Sequence, residues 1–271
     1  MKIGIVGLGL IGGSVAKAIR KNMQEHTIVG LDMDDAVVNK ALEEHVIDEK
    51  NDISSCDLVF VCLYPKDSVE YIRVAEFKKE AIVTDMCGIK RYVAQRVKSA
   101  AIKNEFCYIG SHPMAGKEVS GYAASDASLF DGASYILTCD SWTDKEACAA
   151  LEGFVKKLGF GRVIVTTAEE HDRIIAYTSQ LAHVVSNAYI MGKTVKEQAG
   201  FTAGSFEDLT RVAKVNPKMW AELFTGNADF LTSEIDELIL HLNGMKTAIA
   251  QLQEKRVFDL LEEGNSIKEK L

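Results

Sequence analysis

A glycine-rich turn near the amino terminus places the strongest constraint on how this chain can fold. Residues 3–6 are an apolar, strand-like run, and Gly7-Leu8-Gly9-Leu10-Ile11-Gly12 follows directly. A helical segment comes next, and a second strand-like run at residues 27–31 ends at Asp32. The pattern G-x-G-x-x-G between a strand and a helix, with an acid about 20 residues further on, is typical of a dinucleotide-binding βαβ unit.

Each part of this turn has a physical role in holding a dinucleotide. Gly7 allows the tight turn, Gly9 lets the backbone approach a pyrophosphate, and Gly12 lets the helix pack closely on the strand. The free N–H groups of the helix N-terminus favour the anionic diphosphate. Asp32 can accept hydrogen bonds from both ribose hydroxyls and would repel a 2′-phosphate, so NAD is predicted over NADP. The alternative for Asp32 is a cap for a helix over residues 34–44.

Strands and helices alternate through the first 166 residues. Further strand-like runs lie at residues 58–63, 81–85, 106–111, 134–138 and 163–165, with helical segments between several of them. This alternation predicts an α/β fold with a Rossmann-type, mostly parallel sheet. The predicted cofactor-binding residues are Gly7, Leu8, Gly9, Leu10, Ile11, Gly12, Asp32, Leu63 and Asp85.

The pattern changes after residue 166. Residues 168–191 form one long helical pattern with an apolar stripe, Asn216 and Pro217 begin another helix, and residues 230–263 continue the helical character. We therefore predict a Rossmann domain at 1–166 and an all-helical substrate and dimerisation domain at 167–271. These helices carry more apolar surface than one layer can cover, which predicts a homodimer.

Composition excludes several kinds of partner. The net charge of −8 gives an acidic surface, which repels nucleic acid and anionic membranes. No run approaches the roughly 18 apolar residues of a membrane helix, and no Cys or His spacing is typical of a metal site. The six cysteines contain no C-x-x-C pair, which indicates reduced, mostly buried thiols of a cytoplasmic protein.

A histidine and a glycine-rich loop end the strand-like run at residues 106–111. The segment reads Gly110-Ser111-His112-Pro113-Met114-Ala115-Gly116. Ligands bind at the carboxyl rim of open α/β sheets, and imidazole, with a pKa of about 6.5, suits proton transfer near neutral pH. We therefore predict that His112 is the acid–base residue of an oxidoreductase. The alternative is a histidine that caps the turn before Pro113.

Together these segments resemble the prephenate dehydrogenase family of tyrosine biosynthesis over the whole chain. The most specific segment, from Gly110 to Glu118, is similar to the family block G-[ST]-H-P-M-[AF]-G-x-E. The other segments that carry the resemblance are residues 7–12 with Asp32, 84–90, 179–183 and 203–220. The resemblance implies NAD-dependent oxidative decarboxylation of prephenate to 4-hydroxyphenylpyruvate.

The resemblance also implies roles for individual residues. His112 would hydrogen-bond the C4 hydroxyl of the substrate, and Arg211 would bind a substrate carboxylate. The predicted catalytic residues are His112, Arg211, His183 and Ser179. The predicted substrate-binding residues are Arg211, Lys117, Gly204, Asp208 and Trp220. The alternatives are a surface salt bridge from Arg211 to Glu207 or Asp208, and a satisfied core histidine at position 183.

The chain departs from the family pattern at two positions. Gly88, preceded by Cys87, stands where the family commonly has a serine beside the catalytic histidine. Another group or a water must therefore orient His112. Lys117 stands where smaller residues are common, and its charge could meet the side-chain carboxylate of the substrate or face solvent.

Three alternative functions stay open at this point. Arogenate dehydrogenase performs the same chemistry on a substrate with an amino group in place of the keto group. A β-hydroxyacid dehydrogenase would need a catalytic lysine in the helical region, where Lys193 is the obvious candidate. A redox-sensing NAD-binding regulator would need the glycine turn but not His112 and Arg211 in one cleft.

Overall fold

One eight-stranded sheet organises the first 166 residues. The computed structural model describes residues 1–117 and 119–271. The strands are β1 Lys2–Val6, β2 Thr27–Leu31, β3 Glu49–Lys50, β4 Leu58–Val61, β5 Ile82–Asp85, β6 Cys107–Pro113, β7 Ser134–Thr138 and β8 Arg162–Thr166. Their order is β3-β2-β1-β4-β5-β6-β7-β8, and every neighbouring pair is parallel except β6 and β7. The predicted Rossmann-type, mostly parallel sheet is confirmed.

Helices connect the strands and continue beyond them. They are α1 Leu10–Asn22, α2 Asp35–Glu43, α3 Pro65–Val74, α4 Arg91–Asn104, α5 Lys145–Val155, α6 Ala168–Ile175, α7 Ala182–Ile190, α8 Gly204–Thr210, α9 Pro217–Gly226, α10 Ala228–Ala250 and α11 Glu254–Lys268. Side-chain caps mark several starts, as where Asp144 accepts a hydrogen bond from Ala147 N and Asn216 accepts one from Met219 N. Gly159, with φ of 103°, ends the segment that α5 begins.

The helices cover both faces of the sheet. On one face, α1, α2 and α5 bury apolar side chains against the alternate residues Ile3 and Ile5 of β1 and Phe60 of β4. On the other face, α3 and α4 pack against Val59 and Val61 of β4. Strands buried on both faces explain why the runs are almost continuously apolar. The sequence missed β3, because its two residues are exposed at the sheet edge and carry no apolar signal.

A continuous helical segment follows the sheet and contains a wider turn. Helix α6 leads into a π-helix at Ala176–Leu181, which leads into α7. The compact unit Met1–Asn227 contains the sheet and α1 to α9, and the unit Ala228–Leu271 consists of α10 and α11 packed on each other. In the second unit, large apolar side chains such as Leu240 and Leu252 are exposed. The predicted division at residue 166 stays a prediction.

The cysteines correct one expectation. Cys56 and Cys87 are free and buried, and Cys62 and Cys107 are free and partly buried. Cys139 and Cys148, however, form a disulfide. The prediction of six reduced thiols is therefore wrong for this pair. The chain reverses between the end of β7 and the start of α5, which brings these two α-carbons within 6.7 Å, and sequence spacing alone did not reveal this approach.

Candidate active site

The glycine turn forms the first wall of the candidate site. Gly7 has φ of +85°, and a Cβ there would come within 2.8 Å of Cys62 O and of the Leu63 side chain. A Cβ on Gly12 would lie only 1.9 Å from Gly7 O, so close packing of α1 requires glycine there. A Cβ on Gly9 would meet nothing within 4 Å. The loop is therefore open at the N-terminus of α1, where a diphosphate can approach.

Asp32 supports this turn from the end of β2. Its Oδ2 accepts a hydrogen bond from Leu8 N at 2.7 Å, and its Oδ1 accepts one from Asp34 N at 3.0 Å. The side-chain cap of α2 is Asp34, which accepts from Ala36 N. Asp32 therefore holds the glycine turn rather than capping the helix, and an ionised carboxylate keeps further acceptor sites for ribose hydroxyls.

Asp85 and Lys90 form a buried ion pair beneath the rim. Both side chains are fully buried, and Lys90 Nζ donates to Asp85 Oδ1 and, at 2.5 Å, to Ser111 O. Asp85 also accepts from Cys87 N at 2.9 Å and from the Tyr108 hydroxyl at 2.6 Å. The Asp85 carboxylate is therefore occupied by internal partners, and its side chain serves as the counter-ion of Lys90.

His112 lies near the end of β6 and belongs to a chain of three side chains. Its Nδ1 is 2.9 Å from Nε2 of His171 on α6. The Nδ1 of His171 in turn is 2.7 Å from Oδ1 of Asp172. No hydrogen bond joins Nε2 of His112 to any residue that the structure describes. This nitrogen is therefore the one available to a substrate.

Asp172, the last of these three hydrogen-bonded side chains, is anchored to the start of α4. Asp172 Oδ1 accepts from Lys90 N at 2.7 Å, and Oδ2 accepts from Arg91 N at 2.9 Å. Asn227 Nδ2 donates to Asp172 O at 2.8 Å and to Gln180 Oε1 at 2.9 Å. Asp172 is fully buried, so these bonds fix the carboxylate and, through it, the His171 ring.

Electrostatics keep His112 neutral. Burial of the ring lowers the pKa of His112 well below its ordinary value, and positive charge on His171 and Lys90 lowers it further. Burial also lowers the pKa of His171, but Asp172 opposes that effect. A neutral imidazole can accept a proton, so the environment prepares His112 to act as a base at neutral pH.

A second group of side chains gathers around α7 and α9. The rings of His183 and Trp220 lie 3.8 Å apart between centroids, and His183 Nδ1 bonds Val212 O at 3.1 Å. Burial lowers the pKa of His183, Val212 opposes this, and the charge of Arg211 lowers it further. Three predicted residues from separate parts of the chain are therefore brought together. Trp220 also packs on Phe224.

The remaining predicted residues are more exposed. Lys117 Nζ lies 3.7 Å from Asp126 Oδ2 and 3.4 Å from Ala124 O. Ser179 is partly buried in the π-helix, and Gly204 and Asp208 are exposed on α8. Glu118, which ends the most specific segment, lies outside the described residues. Within the described part of the chain, no group of three or more His, Cys, Asp or Glu side chains is arranged to hold a metal.

Comparison with known families identifies this arrangement. A family profile described as "Prephenate dehydrogenase, nucleotide-binding domain" matches residues 15–165, and "Prephenate dehydrogenase, dimerization domain" matches residues 167–263. The chain belongs to the prephenate dehydrogenase family. It is thus an NAD-dependent oxidoreductase, as the glycine turn and Asp32 predicted.

Members of the prephenate dehydrogenase family match the chain over nearly its full length. A prephenate dehydrogenase of Bacillus subtilis is 30% identical, and the match covers 94% of this chain and 71% of the relative. The crystal structure of A. aeolicus prephenate dehydrogenase with hydroxyphenyl propionate and NAD+ has a TM-score of 0.89 at 27% identity, covering 100% and 98% of the two chains. Synechocystis arogenate dehydrogenase has a TM-score of 0.84 at 29% identity, covering 100% and 99%.

The structure adds two residues to the site of this prephenate dehydrogenase family member. Sequence reasoning did not select His171 or Asp172. The signal that could have indicated them is a histidine followed directly by an aspartate in α6, the first helix after the last strand. At Gly88, a Cβ would lie 3.7 Å from His112 Nε2 and 3.3 Å from a methyl group of Leu223. Position 88 is therefore beside the free nitrogen of His112, whereas His171 holds the other nitrogen.

Among the described residues, none of the helices combines the length and the apolar character that crossing a membrane requires.

Proposed function

We propose that this enzyme oxidises prephenate to 4-hydroxyphenylpyruvate with release of CO2. The observation that supports this most directly is His112, whose Nδ1 is held by His171 and whose Nε2 is left for a substrate, at the same sheet rim as the glycine turn in a chain of this family. Bound NAD would accept the hydride from C4 of the substrate ring. Aromatisation of the ring supplies the driving force, so the protein must mainly orient the substrate and provide one base.

In this proposal each group of residues has one task. The glycine turn and Asp32 hold the dinucleotide, and His112 Nε2 accepts the proton of the C4 hydroxyl. Arg211 binds a substrate carboxylate through its planar guanidinium. His183 and Trp220, which pack on each other beside Arg211, shape the pocket. Ser179, Gly204 and Asp208 belong to the surrounding wall.

A panel of three substrates tests the function. We expect NADH production with prephenate to exceed that with arogenate, and 3-hydroxyisobutyrate to be inactive. If Lys117 faces the pyruvyl end of the substrate, its charge disfavours the ammonium of arogenate, and Lys117→Thr should narrow the gap between the first two substrates. If the parent enzyme prefers arogenate, the enzyme performs the same oxidation with arogenate as its substrate. Activity on 3-hydroxyisobutyrate alone would overturn the proposal.

Asp32 should set the choice of cofactor. We expect Asp32→Ala to weaken NAD binding and to relax the preference toward NADP, because the carboxylate would repel a 2′-phosphate and because it holds Leu8 N. Fluorescence titration with NADH and NADPH measures both effects. Asp34→Ala, which removes the cap of α2 instead, is the matched control. Equal use of NAD and NADP by the parent would contradict this assignment.

Arg211 should contribute mainly to substrate binding. A charge-assisted hydrogen bond to a carboxylate contributes roughly 1.5–3 kcal/mol. Arg211→Ala should therefore raise KM by about one to two orders of magnitude. The effect on kcat should be smaller, because the carboxylate is present in both ground and transition states. Arg211→Lys should restore KM only in part. An unchanged KM in Arg211→Ala would remove Arg211 from the substrate site.

We also propose that the chain works as a homodimer through its carboxyl-terminal helices. The matched family domain is described as a dimerization domain, and α10 and α11 expose large apolar side chains, including Ile239, Leu240, Phe258 and Leu261. Such a surface is typical of an interface. Light scattering at micromolar concentration should give twice the mass of the chain, and a monomer there would contradict the proposal.

We also propose that the reaction takes place in the cytoplasm. Cys56, Cys62, Cys87 and Cys107 are free thiols, which is typical of a reducing compartment. The Cys139–Cys148 disulfide is the exception to that pattern.

A further inference from the structure

The chain from His112 through His171 to Asp172 determines where the protons of two histidines lie. An ionised carboxylate only accepts hydrogen bonds, and Asp172 already accepts two from backbone N–H groups of α4. The contact of 2.7 Å therefore places a proton on His171 Nδ1. A neutral His171 then has a lone pair on Nε2, and the 2.9 Å contact places a proton on His112 Nδ1.

With a proton on Nδ1, neutral His112 carries its free lone pair on Nε2. That nitrogen is the one without a hydrogen-bond partner among the described residues, and Gly88 lies beside it with no side chain. No hydroxyl from position 88 can orient the ring. The fixed hydrogen bond from the opposite side, to His171, is therefore what holds the ring and selects its tautomer.

We propose that His171, held by Asp172, is a positioning residue that keeps the base of His112 on Nε2 and receives the Nδ1 proton during turnover. The proposal rests on the proposed role of His112 as base. The substrate O–H bond breaks as N–H forms at His112 Nε2. The N–H bond at His112 Nδ1 breaks as N–H forms at His171 Nε2. Two protons have each moved by one step, so His112 is neutral again and the single positive charge lies on His171 against the Asp172 carboxylate.

The surrounding charges favour this final position. Besides Asp172, the buried charged groups Lys90 and Asp85 act on the two rings, and Lys90 lowers the pKa of both histidines. Asp172 and Asp85 raise the pKa of His171, whereas among the described residues no carboxylate raises the pKa of His112. Arg91 also faces Asp172, with Nε 3.5 Å from Oδ2. A proton is therefore more stable on His171 than on His112.

Two substitutions separate the orienting effect from the uptake of the proton. His171→Gln places an amide oxygen where it can accept from His112 Nδ1, but an amide does not bind a proton. His171→Leu removes both effects. We expect the plateau of kcat to fall by about 10-fold in His171→Gln and by about 100-fold or more in His171→Leu. Each loss is a fraction of the rate enhancement that a general base usually contributes. NADH affinity should be unchanged.

The pH profile distinguishes this role from a structural one. In the parent, the rising limb of kcat/KM reports the coupled pair, whose first proton resides mainly on His171. In His171→Gln the limb reports His112 alone, which has no direct contact with the Asp172 carboxylate that stabilises a proton on His171, so the limb should move to lower pH. His45→Gln, at an exposed position after α2, is the matched control and should leave the limb in place. An unmoved limb in His171→Gln would overturn the proposal.

A tautomer measurement tests the proposal without turnover. Long-range proton–nitrogen NMR spectra of the unmodified enzyme should show both His112 and His171 protonated at Nδ1, with signals assigned by their loss in His112→Asn and His171→Gln. A proton on His112 Nε2 would overturn the inference even if prephenate is the substrate. The expected tautomers together with no turnover of prephenate or arogenate would instead overturn only the proposed function. If His171→Leu does not fold, His171→Gln and this measurement decide the question.

Discussion

His112→Asn should lower kcat by about 10²–10⁴, the usual contribution of a general base, while the fold and the affinity for NADH stay unchanged. Asparagine keeps a polar group at the end of β6 but cannot accept a proton from the substrate. In the parent, only the neutral ring is active, so activity rises as pH rises through the pKa of the histidine pair. Burial lowers the pKa of both histidines of the pair, which places this rise on the acid side of neutrality.

Steady-state kinetics as a function of pH measure both parts of this prediction. His45→Asn, on the surface, serves as the control for loss of a histidine. The rising limb should disappear in His112→Asn and persist in His45→Asn. If His112→Asn keeps the limb of the parent, another group is the base.

Breaking the buried Lys90–Asp85 pair should produce the largest loss of stability. Lys90→Met leaves the Asp85 carboxylate uncompensated at a site with no access to water, and such a change costs about 3–5 kcal/mol of unfolding free energy. Tyr108 and Cys87 N would still donate to Asp85, but neither carries a compensating charge. Chemical denaturation with matched circular dichroism and fluorescence measures the loss.

A surface pair provides the contrast. Lys79 and Glu105 form an ion pair between two exposed side chains, so Lys79→Met should leave stability almost unchanged. The double variant Lys90→Met with Asp85→Leu removes both buried charges and should lose less than the two single changes combined. A Lys90→Met protein as stable as Lys79→Met would show that the buried pair contributes little.

The sequence predicted those features that local patterns encode. The glycine spacing and Asp32 predicted the cofactor turn, because turn geometry and close packing permit few residues at Gly7 and Gly12. The alternation of apolar strands with helices predicted the sheet, since parallel strands need crossover helices. His112 was selected because it ends a strand at the rim of that sheet.

Features that depend on approach between distant segments were not predicted. His171 and Asp172 lie about 60 residues after His112, and the packing of α6 against α4 and β7 brings them together. The Cys139–Cys148 disulfide was missed for a local reason, since it depends on a chain reversal within nine residues that cysteine spacing alone does not reveal. The two-residue strand β3 pairs through its backbone alone, so its side chains carry no signal.

The π-helix at Ala176–Leu181 sets the angular relation between two parts of the site. An unbroken α-helix turns about 100° per residue, so His171 and His183, twelve positions apart, would point about 120° away from each other. A π-helix places more residues in each turn, so each of its residues turns the chain through a smaller angle than an α-helical residue does. The smaller total angle turns the side of α7 that carries His183 back toward the side of α6 that carries His171. The π-helical pitch therefore lets two histidines twelve positions apart lie on one side of the helix, and restoring α-helical pitch over the same twelve positions would turn His183 away from that side without touching His112.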